Sequence, residues 1–280
     1  TITKLDEERT AIEFGNTKLM IDSKDVNEYP IIKDLTNVEK IIIKKDEFLN
    51  AIKSVSHAIA KETHETLNLV FLHLKNNKLY TMATDKHRLA LAEVAIEDTN
   101  NEEKIIVIKN TSVKNIEDYL ERKEFKGLEF IILEDGQEHA KLKIADNEFI
   151  VKKIKRTCPQ YETLFDEVGD KTLKVNREEF LQALKYAFIS VKNDKTEKVI
   201  KLDISSNKMV LTTQNMYQEI NIDYTGEQVI FYFNIQYLID AISTMVSDDI
   251  QMQFRDGLDK VLFTEEKTNN KYLIMPRRGA

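Results

Sequence analysis

The chain has 280 residues, 42% of them hydrophobic and 32% charged, with seven glycines, three prolines and a net charge of −7. That much apolar material builds real cores in one large domain or two ordinary ones. A disordered chain is excluded, and so few Gly and Pro leave little room for flexible linkers. The acidic balance excludes a wholly basic nucleic-acid binder, but not a basic face on an acidic body.

In chain order, the first pattern is "AIEFGNTKLMI", a strand, a turn and a strand, followed by Pro30 in "NEYPII". "KKDEFLNAIKSV", from Lys44, predicts an amphipathic helix with Phe48, Ile52, Val55 and Ile59 on one face. "LVFLHLKNNKLYTMAT" then reads as two antiparallel strands joined by a polar turn. In "MATDKHRLALAEV", Thr84 to Lys86 predict a β-turn, and His87 and Arg88 open the next strand. "KIIVI" is a strand leading into a helix over Asn110 to Lys123, with Val113, Ile116 and Leu120 on one face and Asn110 as its N-cap. "AKLKIADNEFIVKKI" is another strand pair, and Pro159 follows it in "TCPQYETL".

The plan then restarts. "NREEFLQALKYA", from Asn176, repeats the first helix, with Phe48 and Phe180 lying 132 residues apart and Phe180, Leu184 and Phe188 on one face. "VIKLDISSNKMVLTTQ" repeats the strand pair, and "QVIFYF" leads into a helix over Asn234 to Met245. "DKVLFTEEKTNNKYLIM" closes the copy before Pro276 in "LIMPRR". Proline cannot donate to a ladder, so each of the three marks a strand leaving its sheet. Three such tails but only two helical heads predict the last hairpin of one repeat over 1–33, then complete repeats over 34–160 and 161–280. The fold class is α+β, each repeat having two helices on one side of antiparallel sheet.

The polar run Thr84 to Arg88 invites an enzyme reading with His87 as general base and Asp85 as its orienter. No nucleophile or glycine-rich turn accompanies them, so a structural turn is the better reading. The lone cysteine, Cys158, excludes a disulfide framework, fits a reducing cytosol and lacks a nucleophile signature. The histidines do not repeat at zinc spacings and no phosphate-binding glycine loop occurs, so neither a metal nor a nucleotide cofactor is expected. No apolar run reaches the ~18 residues of a bilayer span. "TITKLDEERT" is too polar for a signal peptide, and a start without Met points to further residues upstream. Lysines gather near the helices: Lys44, Lys45, Lys53 and Lys61, then Lys109, Lys114, Arg122 and Lys123, then Lys185, Lys192, Lys195 and Lys198. They form either a solvated helix face or a grip on phosphate backbones without base readout.

"ATDKHRLAL", "YTGEQVIFYFNIQYLIDAI", the closing "YLIMPRR" and the repeat plan together resemble the bacterial DNA polymerase III beta subunit, the replicative sliding clamp. The resemblance implies the DNA-clamp fold, with a remnant of the first domain followed by the second and third. In that family two three-domain chains close head to tail into a ring around duplex DNA, helices inside and sheets outside. Clamps have no catalytic activity, act in the cytoplasm and carry a basic bore on an acidic body. The implied partners are duplex DNA without sequence choice, the polymerase III catalytic subunit, the clamp loader, and repair polymerases and ligase.

Partner peptides in this family insert apolar anchors between the second and third domains. Carried over by position, that pocket comprises Leu67, Thr84, His87, Arg88 and Leu89, then Pro159, Tyr161 and Leu164, then Tyr237, Leu258, Leu273, Met275 and Arg277. The DNA-facing set comprises Lys53, Lys61, Lys109, Lys114, Arg122, Lys123, Lys185 and Lys192. Two residues depart from the pattern. Lys86 stands where the family usually has Gly, in a turn suited to positive φ, and Arg277 stands where an apolar residue is common and would favour acidic peptides. Ring closure joins the first domain of one chain to the third of the other, so the chain as given is not expected to close the usual ring. The alternative is a truncated, partner-recruiting module that does not encircle DNA.

Overall fold

The structure, a computed structural model, describes residues 1–6, 8–28, 38–61, 67–96, 102–191 and 198–278. Pro30, Lys192 and Lys195 lie outside them. Residues 1–36 form one compact unit and 37–280 another. The first holds a meander of β1 (Ile2–Lys4), β2 (Arg9–Phe14) and β3 (Thr17–Asp22), whose expected tight turn passes through Gly15 at φ 54°. β3 is exposed on both faces, including Leu19, Met20 and Ile21.

The second unit carries the repeat twice. Its first copy runs β4 (Glu39–Lys44), α1 (Lys45–Ser56), β5 (Leu69–Lys75), β6 (Lys78–Thr84), β7 (Arg88–Ala95), β8 (Lys104–Lys109) and α2 (Asn110–Leu120). Strands β9 (Phe130–Asp135), β10 (His139–Ile144) and β11 (Asn147–Lys152) complete it, and a short helix, α3 (Tyr161–Asp166), follows Pro159. The second copy is β12 (Lys171–Asn176), α4 (Arg177–Ser190), β13 (Val199–Ser205), β14 (Lys208–Thr213), β15 (Met216–Asp223), β16 (Val229–Asn234) and α5 (Ile235–Thr244), then β17 (Asp249–Phe254), β18 (Val261–Glu265) and β19 (Lys271–Ile274).

The alternation read from the sequence matches these strands, and the helices differ in detail. α1 ends at Ser56, so Ile59 follows the helix, half-buried against the core. Asn110 is the first helical residue of α2 and not its cap; Lys109 holds the cap position without a side-chain bond. α2 stops at Leu120, and a 3-10 turn over Lys123–Phe125 takes the rest of the expected helix. In the second copy Asn176 and Asn234 do cap, accepting from the amides of Glu179 and Gln236 at 3.0 and 2.9 Å, each worth about 1 kcal/mol. The heavy side chains of the helices point inward: Phe48 and Phe180 are buried, each contributing ~1.5–3 kcal/mol by transfer alone.

The strands make two sheets, β11-β10-β9-β4 and a twelve-stranded one in the order β16-β13-β14-β15-β12-β17-β18-β19-β7-β6-β5-β8. The larger sheet crosses from one copy to the other where β19 pairs with β7, with Ile274 opposite Arg88, Leu273 opposite Leu89, Tyr272 opposite Ala90 and Lys271 opposite Leu91. α1 packs on α2 and on α5, and α5 on α4, so the helices form a row across the same junction. Beneath β19 the His57 ring lies 5.7 Å from Tyr272, and the Thr244 hydroxyl donates to Tyr272 Oη at 2.9 Å. The Asn270 amide donates to Ser54 Oγ at 3.3 Å.

Candidate functional site at the junction of the repeats

The β6–β7 turn stands at one end of this seam. Lys86 takes φ 78°, the left-handed conformation that the family's usual Gly accommodates more easily. The neighbouring side chains hold the turn in place. Thr84 Oγ1 donates to the Arg88 carbonyl at 2.7 Å, and Asp85 Oδ1 accepts from the amides of His87 and Arg88, both at 3.0 Å. Asp85 Oδ2 accepts from Arg88 Nε at 3.0 Å. The carboxylate thus organises its own turn and Arg88, and the His87 ring stacks 6.5 Å from Tyr237.

Arg88 joins the two copies. Its Nη1 donates to Asp240 Oδ2 on α5 at 2.6 Å, and its guanidinium lies 4.2 Å from the Tyr237 ring centre. A forked donor between two carboxylates and an aromatic face is a geometry lysine cannot copy. One turn further, the Met275 amide donates to the His87 carbonyl at 2.8 Å, so the tail adopts the turn as its partner. The Arg277 amide then bonds the Tyr232 carbonyl at 2.7 Å, carrying the tail along β16. Gly257 is backed by the Ile230 carbonyl with no room for a side chain, which brings the loop bearing Leu258 to the same strand.

Of the expected pocket residues, Leu89, Leu273 and Tyr161 share one apolar cluster on the sheet face turned away from α1, α2, α4 and α5 and covered by α3. Phe165, Val168, Leu262 and Leu91 belong to the same cluster and were not foreseen; Phe165 and Val168 sit on or after α3, which is too short to show periodicity. Above this floor Leu164, Leu258 and Met275 are exposed, 36%, 72% and 38% respectively. Leu67, Thr84, Pro159, Tyr237 and Arg277 are half-buried around them, and His87 is exposed. Tyr161 is a support more than a lining residue. Its hydroxyl lies 2.8 Å from His73 Nδ1, His73 Nε2 lies 2.7 Å from Glu103, and burial pushes the phenol's pKa up.

Under the floor of the turn, His57 is half-buried, with both ring nitrogens shut away from solvent and unpartnered. Desolvation, reinforced by the Arg88 charge, pulls its pKa down to about 4, so it is neutral at pH 7. The Cys158 thiol is pushed up to about 11 by burial and by the nearby Glu162 and Glu103 charges. Among the described residues no His, Cys, Asp and Glu group could hold a metal ion, and no helix is long and apolar enough to cross a membrane.

The expected DNA-facing residues divide. Lys114 on α2, Lys185 on α4 and Lys61 are exposed; Lys53 is ion-paired with Glu121. Arg122 stacks 4.3 Å over Tyr119 and lies 3.8 Å from Glu124. Lys123 sits in the 3-10 turn, and Lys192 is outside the described residues. Lys109 needs correcting. It pairs opposite Leu69, and strand alternation puts it on the outer sheet face with Leu69 and Val107, away from α1 and α2. Nor are the helices a line of lysines. Lys45, Lys53, Lys114, Arg177 and Lys185 share them with Asp46, Glu47, Glu117, Asp118, Glu178, Glu179 and Asp240.

Residues 42–159 match the family profile described as "DNA polymerase III beta subunit, central domain", and residues 162–278 match "DNA polymerase III beta subunit, C-terminal domain". The beta sliding clamp of Pseudomonas putida is 23% identical over 284 residues, covering 98% of this chain and 75% of the relative. That of Caulobacter vibrioides is 26% identical over 286 residues, with the same coverage. The crystal structure of a putative DNA polymerase III beta subunit from Eubacterium rectale superposes with TM-score 0.87 at 18% identity, covering 99% of this chain and 75% of that one. The beta subunit of Thermotoga maritima gives 0.84 at 23% identity, covering 99% and 76%. These likenesses speak for a clamp and do not favour the truncated-module alternative. With both domain profiles matched in order and a seam joining them, the chain belongs to the DNA polymerase III beta subunit family, the bacterial sliding clamps.

Proposed function

We propose that this chain serves as a non-catalytic processivity clamp, surrounding duplex DNA without reading its sequence and docking short partner peptides at the seam between its two complete repeats. The observation that carries the reading is the seam: Arg88 held between Asp85 and Asp240 beside an apolar floor, with Leu164, Leu258 and Met275 left open above it. An apolar floor with a few fixed polar groups is what an anchor-bearing peptide requires. The polymerase catalytic subunit, the clamp loader, and repair polymerases and ligase are the partners we assign to it, in the cytoplasm. We keep 1–33, 34–160 and 161–280 as the domain division.

The row of helices is the DNA-facing wall in this reading, with Lys53, Lys61, Lys114, Arg122 and Lys185 as its cations. Ring closure between two full-length chains falls to the third repeat. Its α4 and β15 expose Tyr186, Ile189 and Tyr217, and residues 216–221 of β15 have no partner on their outer edge among the described residues. Converting Arg88 and Met275 together to Ala is expected to weaken binding of a polymerase-derived clamp peptide at least about tenfold in calorimetry. Unchanged affinity would overturn the pocket. Replacing Lys53, Lys114 and Lys185 by Glu in the full-length protein is expected to shorten retention on circular DNA most at low salt, the difference from the unaltered protein shrinking as salt rises.

A further inference from the structure

The outer face around the pocket has a charge pattern that the net charge conceals. Lys86 stands in the turn beside His87. Lys109 lies opposite Leu69, at the end of β8 on the floor's own sheet face. Lys155 and Arg156 are exposed in the connector between Ile154 and Cys158, both of which pack against the floor cluster. None of these four cations has an ion-pair partner among the described residues, in a chain of net charge −7 where most other described lysines are paired.

The carboxylates on this face are mostly committed elsewhere. Asp85 and Asp240 hold Arg88, Glu103 holds His73, and Glu162 holds Lys75 at 3.0 Å. Asp166 at the end of α3, Asp170 two residues beyond Val168, and Asp256, which accepts from the Leu258 amide, are exposed without an ion pair among the described residues. On the side of the β6–β7 turn, the end of β8 and the 155–156 connector, the apolar floor is therefore edged by cations that no carboxylate pairs among the described residues.

Resting on the docking reading above, we propose that the partner segment this pocket selects is an acidic peptide, its apolar anchors flanked by Asp or Glu that pair with Lys86, Lys109, Lys155 and Arg156. The floor supplies the holding force and the cations supply the choice. Charges around an interface act mainly on encounter rate and specificity, and salt screens them. A nucleic-acid strand would also meet the cations, but it has no use for the buried leucines between them, so the peptide is favoured.

The test uses the whole chain and three short fluorescent peptides with the same leucine and phenylalanine anchors, flanked by Asp and Glu, by Ser, or by Lys and Arg. At ~50 mM salt the acidic peptide is expected to bind at least about tenfold tighter than the basic one, the gap closing by ~500 mM. Lys86→Glu with Arg156→Glu, both at exposed positions, is expected to abolish the preference while leaving the Ser-flanked peptide's affinity unchanged. Equal affinities for acidic and basic flanks would overturn this inference and leave the docking site standing. Failure of all three peptides to bind would overturn both. Displacement of the acidic peptide by an oligothymidylate that binds equally well after Leu273→Ala would show that the cations read phosphate, and the peptide assignment would fall.

Discussion

The two repeats have one plan, yet the same edge is filled in the first and open in the second. Ser54 and His57 of α1 correspond, at the 132-residue spacing, to Tyr186 and Ile189 of α4. Leu91 of β7 corresponds to Tyr217 of β15, because each is paired two residues before a matching Glu, Glu93 or Glu219. Ser54 and Leu91 are covered by the second repeat and buried at 7% and 4% exposure, while Tyr186, Ile189 and Tyr217 stand at 51%, 65% and 68%. Identical scaffolding thus tolerates opposite surfaces, and what differs is whether a strand such as β19 lies alongside. In the ring proposed above, the joint inside the chain is a finished version of the joint that closure between chains would need.

Four measurements press on that contrast. Leu91→Ala removes a side chain from the filled edge and is expected to cost about 3 kcal/mol in urea unfolding, whereas Tyr217→Ala at the matching open position stays within about 0.5 kcal/mol. Equal costs would dissolve the contrast. His57 comes next. It is held neutral in the fold, with a pKa near 4 against an ordinary value of 6.5, so the unfolded chain binds the extra proton between those values. Stability is complete above pH 6.5 and falls as the pH drops toward 4, by roughly 3 kcal/mol. His57→Ile, which copies the residue of the second repeat, is expected to flatten that part of the pH profile.

Asn270→Ala deletes the amide donated to Ser54 across the seam and is expected to cost about 1 kcal/mol, read as a shift in urea midpoint without a change in slope. The smallest effect belongs to Lys86→Gly. Relief of the left-handed φ is partly offset by the freer unfolded chain, leaving a gain of about 0.5 kcal/mol. A loss would mean that the Lys86 side chain makes a contact that outweighs the strain.

The repeat, the strand alternation and the four long helices are legible in the sequence because each rests on a local period. α3 is not, since six residues complete less than two turns and show no face. Arg88 and its turn were visible as a polar run, but Asp240 lies 152 residues away on another helix, and no local pattern connects them. Lys109 misled for the opposite reason. Proximity to α2 in sequence suggested the helix side, while the parity of β8 sends its side chain to the other face. Lys86 was the reverse case, a single residue whose departure from the family's glycine correctly pointed to positive φ.

Arg88 belongs to two masters. It closes the hairpin turn through Asp85 and fastens the neighbouring repeat through Asp240, with the same planar group offered to Tyr237. In the docking reading proposed above, a guest side chain that draws the guanidinium off Asp240 loosens the joint between repeats and lets it act as a hinge. Reciprocity requires that bending the hinge change how tightly the pocket holds its guest. The curvature of the clamp and the occupancy of its socket are, through one arginine, conjugate quantities.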